Sequence, residues 1–177
     1  MSSYNVLLIS GSLREKSLNA ALLRTAASVA LQNMSLDLNK DIEYLPLFNQ
    51  DIDRSSNPSV CRFCNAIKRA DAIIIASPEY AHGISGPLKN ALDWLVGGLE
   101  FVDKPVAIYD ISSRYEHSKE SLREVLRTMS ADIVDKASFV FGVLGQHQSS
   151  DSIIQDAEIC QQLQTSLKKL KAHIQQK

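Results

Sequence analysis

Val6–Val29 reads VLLISGSLREKSLNAALLRTAASV, and its hydrophobic period changes once along that length. Val6–Ser10 is a short unbroken apolar run, the pattern of a strand covered on both faces in a parallel sheet. From Leu18 the apolar residues Leu18, Ala21, Leu22, Ala26 and Val29 recur three and four apart, which is helical spacing. Between the two lies a polar loop, so the stretch reads strand, loop, helix.

The same alternation continues along the chain. Ile42–Phe48 (IEYLPLF) is a second apolar run, broken near Pro46, and the polar Asn49–Ser59 follows. Asn57 before Pro58 marks a helix start, with Val60, Phe63, Cys64 and Ile67 on one face as far as Arg69. Asp71–Ser77 (DAIIIAS) is a third strand. A helix is expected over Gly86–Val96, with Pro87 in its first turn and Gly97-Gly98 as its stop. Pro105–Ser112 and Ala137–Val143 are the fourth and fifth strands, separated by the charged helix Ser118–Ser130, and Asp151–Lys177 reads as one long C-terminal helix. Strand and helix in alternation predict a three-layer α/β fold, a doubly wound parallel sheet with helices on both faces. Residues 1–177 form one domain in this reading, without internal repeats.

Composition narrows the function classes. The chain has 177 residues, 45% of them hydrophobic, enough for one well-filled core. Lys and Arg number 19 against 20 Asp and Glu, which leaves no basic excess for nucleic acid or an anionic membrane surface. The N-terminus lacks the basic flank and apolar segment of a signal peptide, and no apolar run approaches the ~20 residues that span a bilayer. A cytoplasmic location is expected. Cys61 and Cys64 form a CxxC with no second CxxC or HxxxH, so ordinary packing is the reading and thiol redox or metal chemistry the alternative.

In a doubly wound sheet ligands sit beyond the carboxyl ends of the strands, where the winding reverses. The loop Ser10–Ala20 (SGSLREKSLNA) places Gly11, three serines, Arg14 and Asn19 ahead of a helix N-terminus, whose free N–H groups favour an anion. It lacks both GxGxxG and GxxxxGK[ST], which disfavours a Rossmann-type dinucleotide or ATP. The plainer alternative is that Ser17 caps the helix and Arg14 is a solvated charge. Ser77–Leu95 (SPEYAHGISGPLKNALDWL) leaves the neighbouring strand with backbone amides and the Tyr80 ring, suited to a planar heterocycle. A phosphate beside a flat ring implies a mononucleotide.

GSLREKSLNA together with SPEYAHGISGPLKNALDWL resembles the NAD(P)H-dependent FMN reductase family of flavodoxin-like flavoproteins, with its GSxRxxSxN phosphate loop and its PEY loop running into LKNALDW. The resemblance implies a five-stranded sheet in the order 2-1-3-4-5 with FMN at the tips of strands one, three and four. Ser12, Arg14, Ser17, Leu18 and Asn19 would hold the phosphate; Pro78, Glu79, Tyr80, His82, Gly83 and Ile84 would line the isoalloxazine. It also implies a homodimer or homotetramer, with Asp93 and Trp94 near the subunit contact; ordinary core is the alternative for Trp94.

The third loop, SSRYEHSKES, departs from the family's glycine-rich turn. Ser112 and Ser113 remain as cofactor contacts, while Arg114, Tyr115 and Glu116 would cover the dimethylbenzene side. His82 is a candidate proton-transfer group, since histidine titrates near ~6.5, against a plainer role in loop geometry. His117, His147 and His173 carry no metal-ligand spacing.

The implied activity is hydride transfer from NADPH, with NADH the alternative donor, through FMN to a small acceptor: a quinone, free flavin, azo compound or metal oxyanion. One flavin face serving both substrates implies ping-pong kinetics. The alternatives are a flavodoxin-type single-electron carrier and a non-catalytic flavin-binding or sensor protein.

Overall fold

β1 (Tyr4–Ser10) lies between β2 (Met34–Leu38) and β3 (Ala72–Ala76), and β6 (Pro105–Asp110) follows β3, all parallel. The computed structural model describes residues 3–114, 116–142 and 149–177. Every residue of β3 and β6 is buried, as continuous apolar strands require when helices cover both faces. In register, Val6 faces Ala72 and Ile73 faces Val106.

Successive side chains of each strand enter different cores. Val6, Leu8 and Ile74 join one cluster with Leu22, Leu163 and Leu167 of α1 (Leu18–Ser28) and α6 (Ala157–Ile174). Ile9, Ile73 and Ile75 join the other with Phe63, Leu92 and Leu126 of α2 (Pro58–Arg69), α3 (Gly86–Asp93) and α4 (Glu116–Thr128). The two-residue strand period therefore produces three layers, and each buried Leu or Ile contributes about 1.5–3 kcal/mol.

Helix starts follow local chemistry. Ser17 Oγ accepts the Ala20 N–H at the head of α1, and Asn57 Oδ1 accepts those of Ser59 and Val60 ahead of Pro58.

The second strand is Met34–Leu38, not Ile42–Phe48. Only β1 pairs with it, so its outer positions are polar and the alternating MSLDL lacks an apolar run. Asp41–Tyr44 forms a single 3-10 turn. The fifth strand is split: β7 (Asp132–Ile133) and β8 (Phe139–Val140) both pair with β6, separated by a 3-10 turn at Asp135–Ala137. With these two as strand five and β6 as strand four, the order is 2-1-3-4-5. Val143, the expected end of that strand, lies outside the described residues. The C-terminal helix is also divided, into α5 (Ser150–Ile154) and α6, because Asp156 turns its carboxylate onto the Glu158 and Ile159 N–H groups as a new cap. Helix α3 ends at Asp93 and continues as turns, and α4 starts at Glu116, ahead of the expected Ser118.

Candidate active site

Three loops leave the carboxyl ends of β1, β3 and β6, and hydrogen bonds stitch them together. The Gly11 N–H continues the β1–β3 ladder by donating to Ala76 O at 2.8 Å, and its carbonyl accepts Ser85 Oγ at 2.6 Å. Ser85 is fully buried and its Oγ also lies 3.1 Å from Ser77 Oγ. A Cβ on Gly11 would stand 2.7 Å from Ser77 Cβ and 2.8 Å from Ser85 Oγ, so the approach of the first loop to the second requires glycine.

Within the first loop, Ser10 Oγ accepts the Ser12 N–H and Ser12 Oγ accepts that of Arg14. Ser17 is buried as the cap of α1; Leu18 is half-buried and Arg14 exposed. Asn19, only 3% exposed, is the informative residue: its Oδ1 is buried without a hydrogen-bond partner among the described residues. A vacant buried amide position costs about 1–3 kcal/mol. It lies in the first turn of α1, where backbone N–H groups are free. Turned about its terminal bond, the amide presents an N–H instead, so this donor set fits a phosphate.

The second loop buries Ser77 and Pro78 and then folds into a hairpin. β4 (Glu79–Tyr80) pairs antiparallel with β5 (Gly83–Ile84), so Ala81 and His82 alone make the turn. Both have positive φ, 49° and 57°, as a type I′ turn requires and neither side chain favours. Tyr80 is half exposed and leaves its ring free for a planar partner.

The same hairpin is tied to α4. Glu79 Oε2 accepts the Ser118 N–H at 2.9 Å and Oε1 lies 3.2 Å from His82 Nδ1, while the Glu79 side chain is only 8% exposed. The Ser118 N–H, with smaller contributions from its hydroxyl and the two histidines, holds the carboxyl below its ordinary value despite the cost of burial. His82 meets the His117 ring edge-on, with centroids 4.8 Å apart. With its carboxylate turned toward α4, Glu79 has only its backbone free to line a flat ring.

In the third loop Ser112 Oγ accepts the Arg114 N–H; Ser113, Arg114 and Glu116 are exposed, and Tyr115 lies outside the described residues. Beneath it Asp110, the last residue of β6, is buried with Lys119 Nζ 3.6 Å away. Burial pushes this carboxyl up to about 6 against the pull of Lys119. A cavity of about 10 Å³, the size of one water, separates Asp110 and Lys119 from Ser77, Ile84 and Ser118.

The expected contacts on the loops after β1, β3 and β6 thus come to one edge of the sheet. Gly11, Ser77 and Ser85 lie inside the two motif stretches but are not among the expected contacts, and Ser118 falls only in a charged helix; together they hold the loops in register. Cys64 packs in the second core beside Arg54 Nη2 at 3.2 Å, and Cys61 Sγ donates to Arg54 O at 3.3 Å. No cluster of three metal-ligating side chains occurs among the described residues. His147 lies outside them, and His173 pairs with Asp132 at 2.7 Å.

A parallel 2-1-3-4-5 sheet with helices on both faces and three loops gathered at the carboxyl ends of β1, β3 and β6 defines a flavodoxin-like protein. Residues 4–144 match the NADPH-dependent FMN reductase family, and the chain belongs to that family. It is an NAD(P)H-dependent oxidoreductase with FMN as its cofactor. It is 34% identical over 175 residues to a probable NADPH:quinone oxidoreductase 1 of Oryza sativa, covering 93% of this chain and 88% of that one. It is 30% identical over 146 residues to a quinone reductase of Escherichia coli, covering 78% of each. The structure of FerB, a flavoenzyme NAD(P)H:(acceptor) oxidoreductase of Paracoccus denitrificans, superposes with a TM-score of 0.79 at 23% identity, covering 96% of this chain and 98% of that one. No helix among the described residues is long and apolar enough to cross a membrane.

Proposed function

We propose that the chain transfers a hydride from NADPH by way of FMN to a small two-electron acceptor, with quinones as the leading class, in a ping-pong cycle. The observation that carries the binding mode is the buried Oδ1 of Asn19, without a partner among the described residues, in the helix turn that follows a loop whose Gly11 carbonyl accepts Ser85 Oγ from the loop that bears Tyr80. FMN supplies the hydride-accepting and hydride-donating centre.

The chain's residues bind and orient. Ser12, Arg14, Ser17, Leu18 and Asn19 hold the phosphate through backbone N–H groups, hydroxyls, guanidinium and amide. Pro78, Glu79, Tyr80, His82, Gly83 and Ile84 line the isoalloxazine, and Ser112 and Ser113 close the third side. With Arg14 on the FMN phosphate, the exposed Arg114 suits the 2′-phosphate that distinguishes NADPH from NADH. Relatives named for quinone reduction favour a quinone over free flavin, an azo compound or a metal oxyanion as acceptor.

The enzyme acts in the cytoplasm as a homo-oligomer. Leu47, Val96, Leu99 and Val102, near Phe48 and Trp94 in sequence, are exposed apolar side chains that a second copy could cover. Trp94 itself is 1% exposed, donates Nε1–H to Pro46 O at 2.9 Å and belongs to the core.

Initial rates of FMN-loaded protein with NADPH or NADH and a benzoquinone test the reading. Parallel double-reciprocal lines and a higher kcat/KM for NADPH are expected. Flavin binding without NAD(P)H oxidation would instead indicate a single-electron carrier, and failure to bind FMN a non-catalytic relative.

A further inference from the structure

We propose that His82 donates the proton that the acceptor takes up during reduction, and that Glu79 and His117 are the positioning residues that hold its ring for this. The inference rests on the reading of the site as a reductase of quinone-type acceptors and adds a protein group to it.

Three independent features converge on one imidazole. The two-residue turn Ala81–His82 holds both residues at positive φ, a strain of about 1–3 kcal/mol at each non-glycine position. That turn brings His82 Nδ1 to 3.2 Å from Glu79 Oε1, and the second oxygen of the same carboxylate is fixed by the Ser118 N–H. The His117 ring stands at 80° to that of His82, from the first turn of α4. Glu79 is nearly enclosed whereas the His82 side chain is 79% exposed, so the carboxylate is a fixed anchor and the imidazole is open to solvent and to an incoming acceptor.

The anchor determines the chemistry of the ring. An ionised carboxylate only accepts, so Nδ1 carries hydrogen toward Glu79 and Nε2 is the atom that gives or takes a proton at the open side. A quinone becomes a hydroquinone by gaining one hydride and one proton. The hydride, with both electrons, derives from NADPH; the proton leaves Nε2 of the imidazolium as the quinone oxygen forms its O–H bond. The neutral ring then regains a proton from water. Charged and titratable groups of α4, which packs against the hairpin, are Glu116, His117, Lys119, Glu120, Arg123, Glu124 and Arg127, and on the hairpin Glu79 and Tyr80.

Two acceptors separate this step from the rest of the cycle. A benzoquinone needs a proton; ferricyanide takes single electrons and none. FMN-loaded chain reduced by NADPH is reoxidised by each, from about pH 5 to about pH 9 across the histidine range. The ratio of quinone rate to ferricyanide rate should fall as pH rises over that range, and His82→Asn should lower that ratio about 100-fold. A ratio independent of pH and unaltered in His82→Asn overturns the proposal.

A second readout needs no turnover. Imidazole ¹⁵N shifts of the FMN-free chain should show neutral His82 protonated at Nδ1. Glu79→Ala should abolish that preference and Glu79→Asp should restore part of it. The Nε2–H tautomer in the parent protein overturns the anchoring of His82. If NADPH fails to reduce the flavin, the functional reading falls while the tautomer measurement still decides whether Glu79 and His82 are coupled.

Discussion

Glu79 Oε2 accepts the backbone N–H of Ser118 across 2.9 Å, and this one bond fixes the hairpin after β3 to the first turn of α4. The Glu79 carboxyl is held below its ordinary value of 4.5, chiefly by that N–H. Its stabilising contribution is therefore present above the unfolded-state value and disappears as pH falls through the lower folded-state value. Glu79→Ala removes both acceptors and should weaken FMN binding about tenfold; Glu79→Gln retains an acceptor for Ser118 and should lose less. Fluorescence titration with FMN orders the three proteins.

The turn at Ala81 is strained by a Cβ at φ 49°. Asn tolerates this conformation better than Ala, so Ala81→Asn should stabilise the fold by about 0.5–1 kcal/mol and raise Tm by roughly 1–4 °C. Ala81→Val should do the reverse. Differential scanning calorimetry checks the order.

Gly11 has no room for a methyl group between Ser77 and Ser85. Gly11→Ala should destabilise by about 1–3 kcal/mol and weaken FMN binding, because the first loop must move off the second. Adding Ser77→Gly, which removes the closest atoms, should recover part of the stability. Urea midpoints of the single and double variants measure the recovery.

Asn19 separates binding from folding. Its Oδ1 is buried without a partner, so Asn19→Leu removes an unsatisfied group and should leave the FMN-free protein as stable as the parent or more so. The same change should weaken FMN about tenfold or more if the amide serves the phosphate. A loss of stability without FMN and no loss of affinity would assign Asn19 to packing.

Asp110 gives the opposite sign from Glu79. Burial raises its folded-state value from 3.8 to about 6, so ionising it costs stability, and the cost grows as pH rises between those values. Asp110→Asn removes this dependence. Relative to the parent, the variant should gain about 2–3 kcal/mol between pH 4 and pH 6, on top of a constant offset for the lost Lys119 partner. Urea midpoints over that range read the slope.

Sequence patterns located the elements whose information is local. β3 and β6 are buried along their whole length and so carry nearly continuous apolar runs, as Val6–Ile9 of β1 does, and α1 and α2 carry their caps at Ser17 and Asn57. Met34–Leu38 escaped because an edge strand with one neighbour needs apolar residues at alternate positions only. Asp156 interrupts a continuous helical pattern by capping, a local choice that periodicity does not reveal. At the site, motifs marked Ser12 to Asn19 and Pro78 to Ile84, since these are contiguous in sequence. The bonds that assemble them, Ser85 to Gly11 and Ser118 to Glu79, span 74 and 39 residues and leave no sequence spacing to read. His117 carries no spacing that marks it in the sequence; only the packing of α4 against the hairpin brings its ring to that of His82.

The most direct test is an oxygen-free titration of the FMN-reconstituted chain with NADPH, followed by visible absorption. FMN should co-elute with the protein, and its oxidised band should bleach stoichiometrically with added NADPH, then return when a benzoquinone is supplied. A bound flavin whose spectrum NADPH and NADH both leave unchanged, or a chain that retains no FMN, would contradict the proposed function.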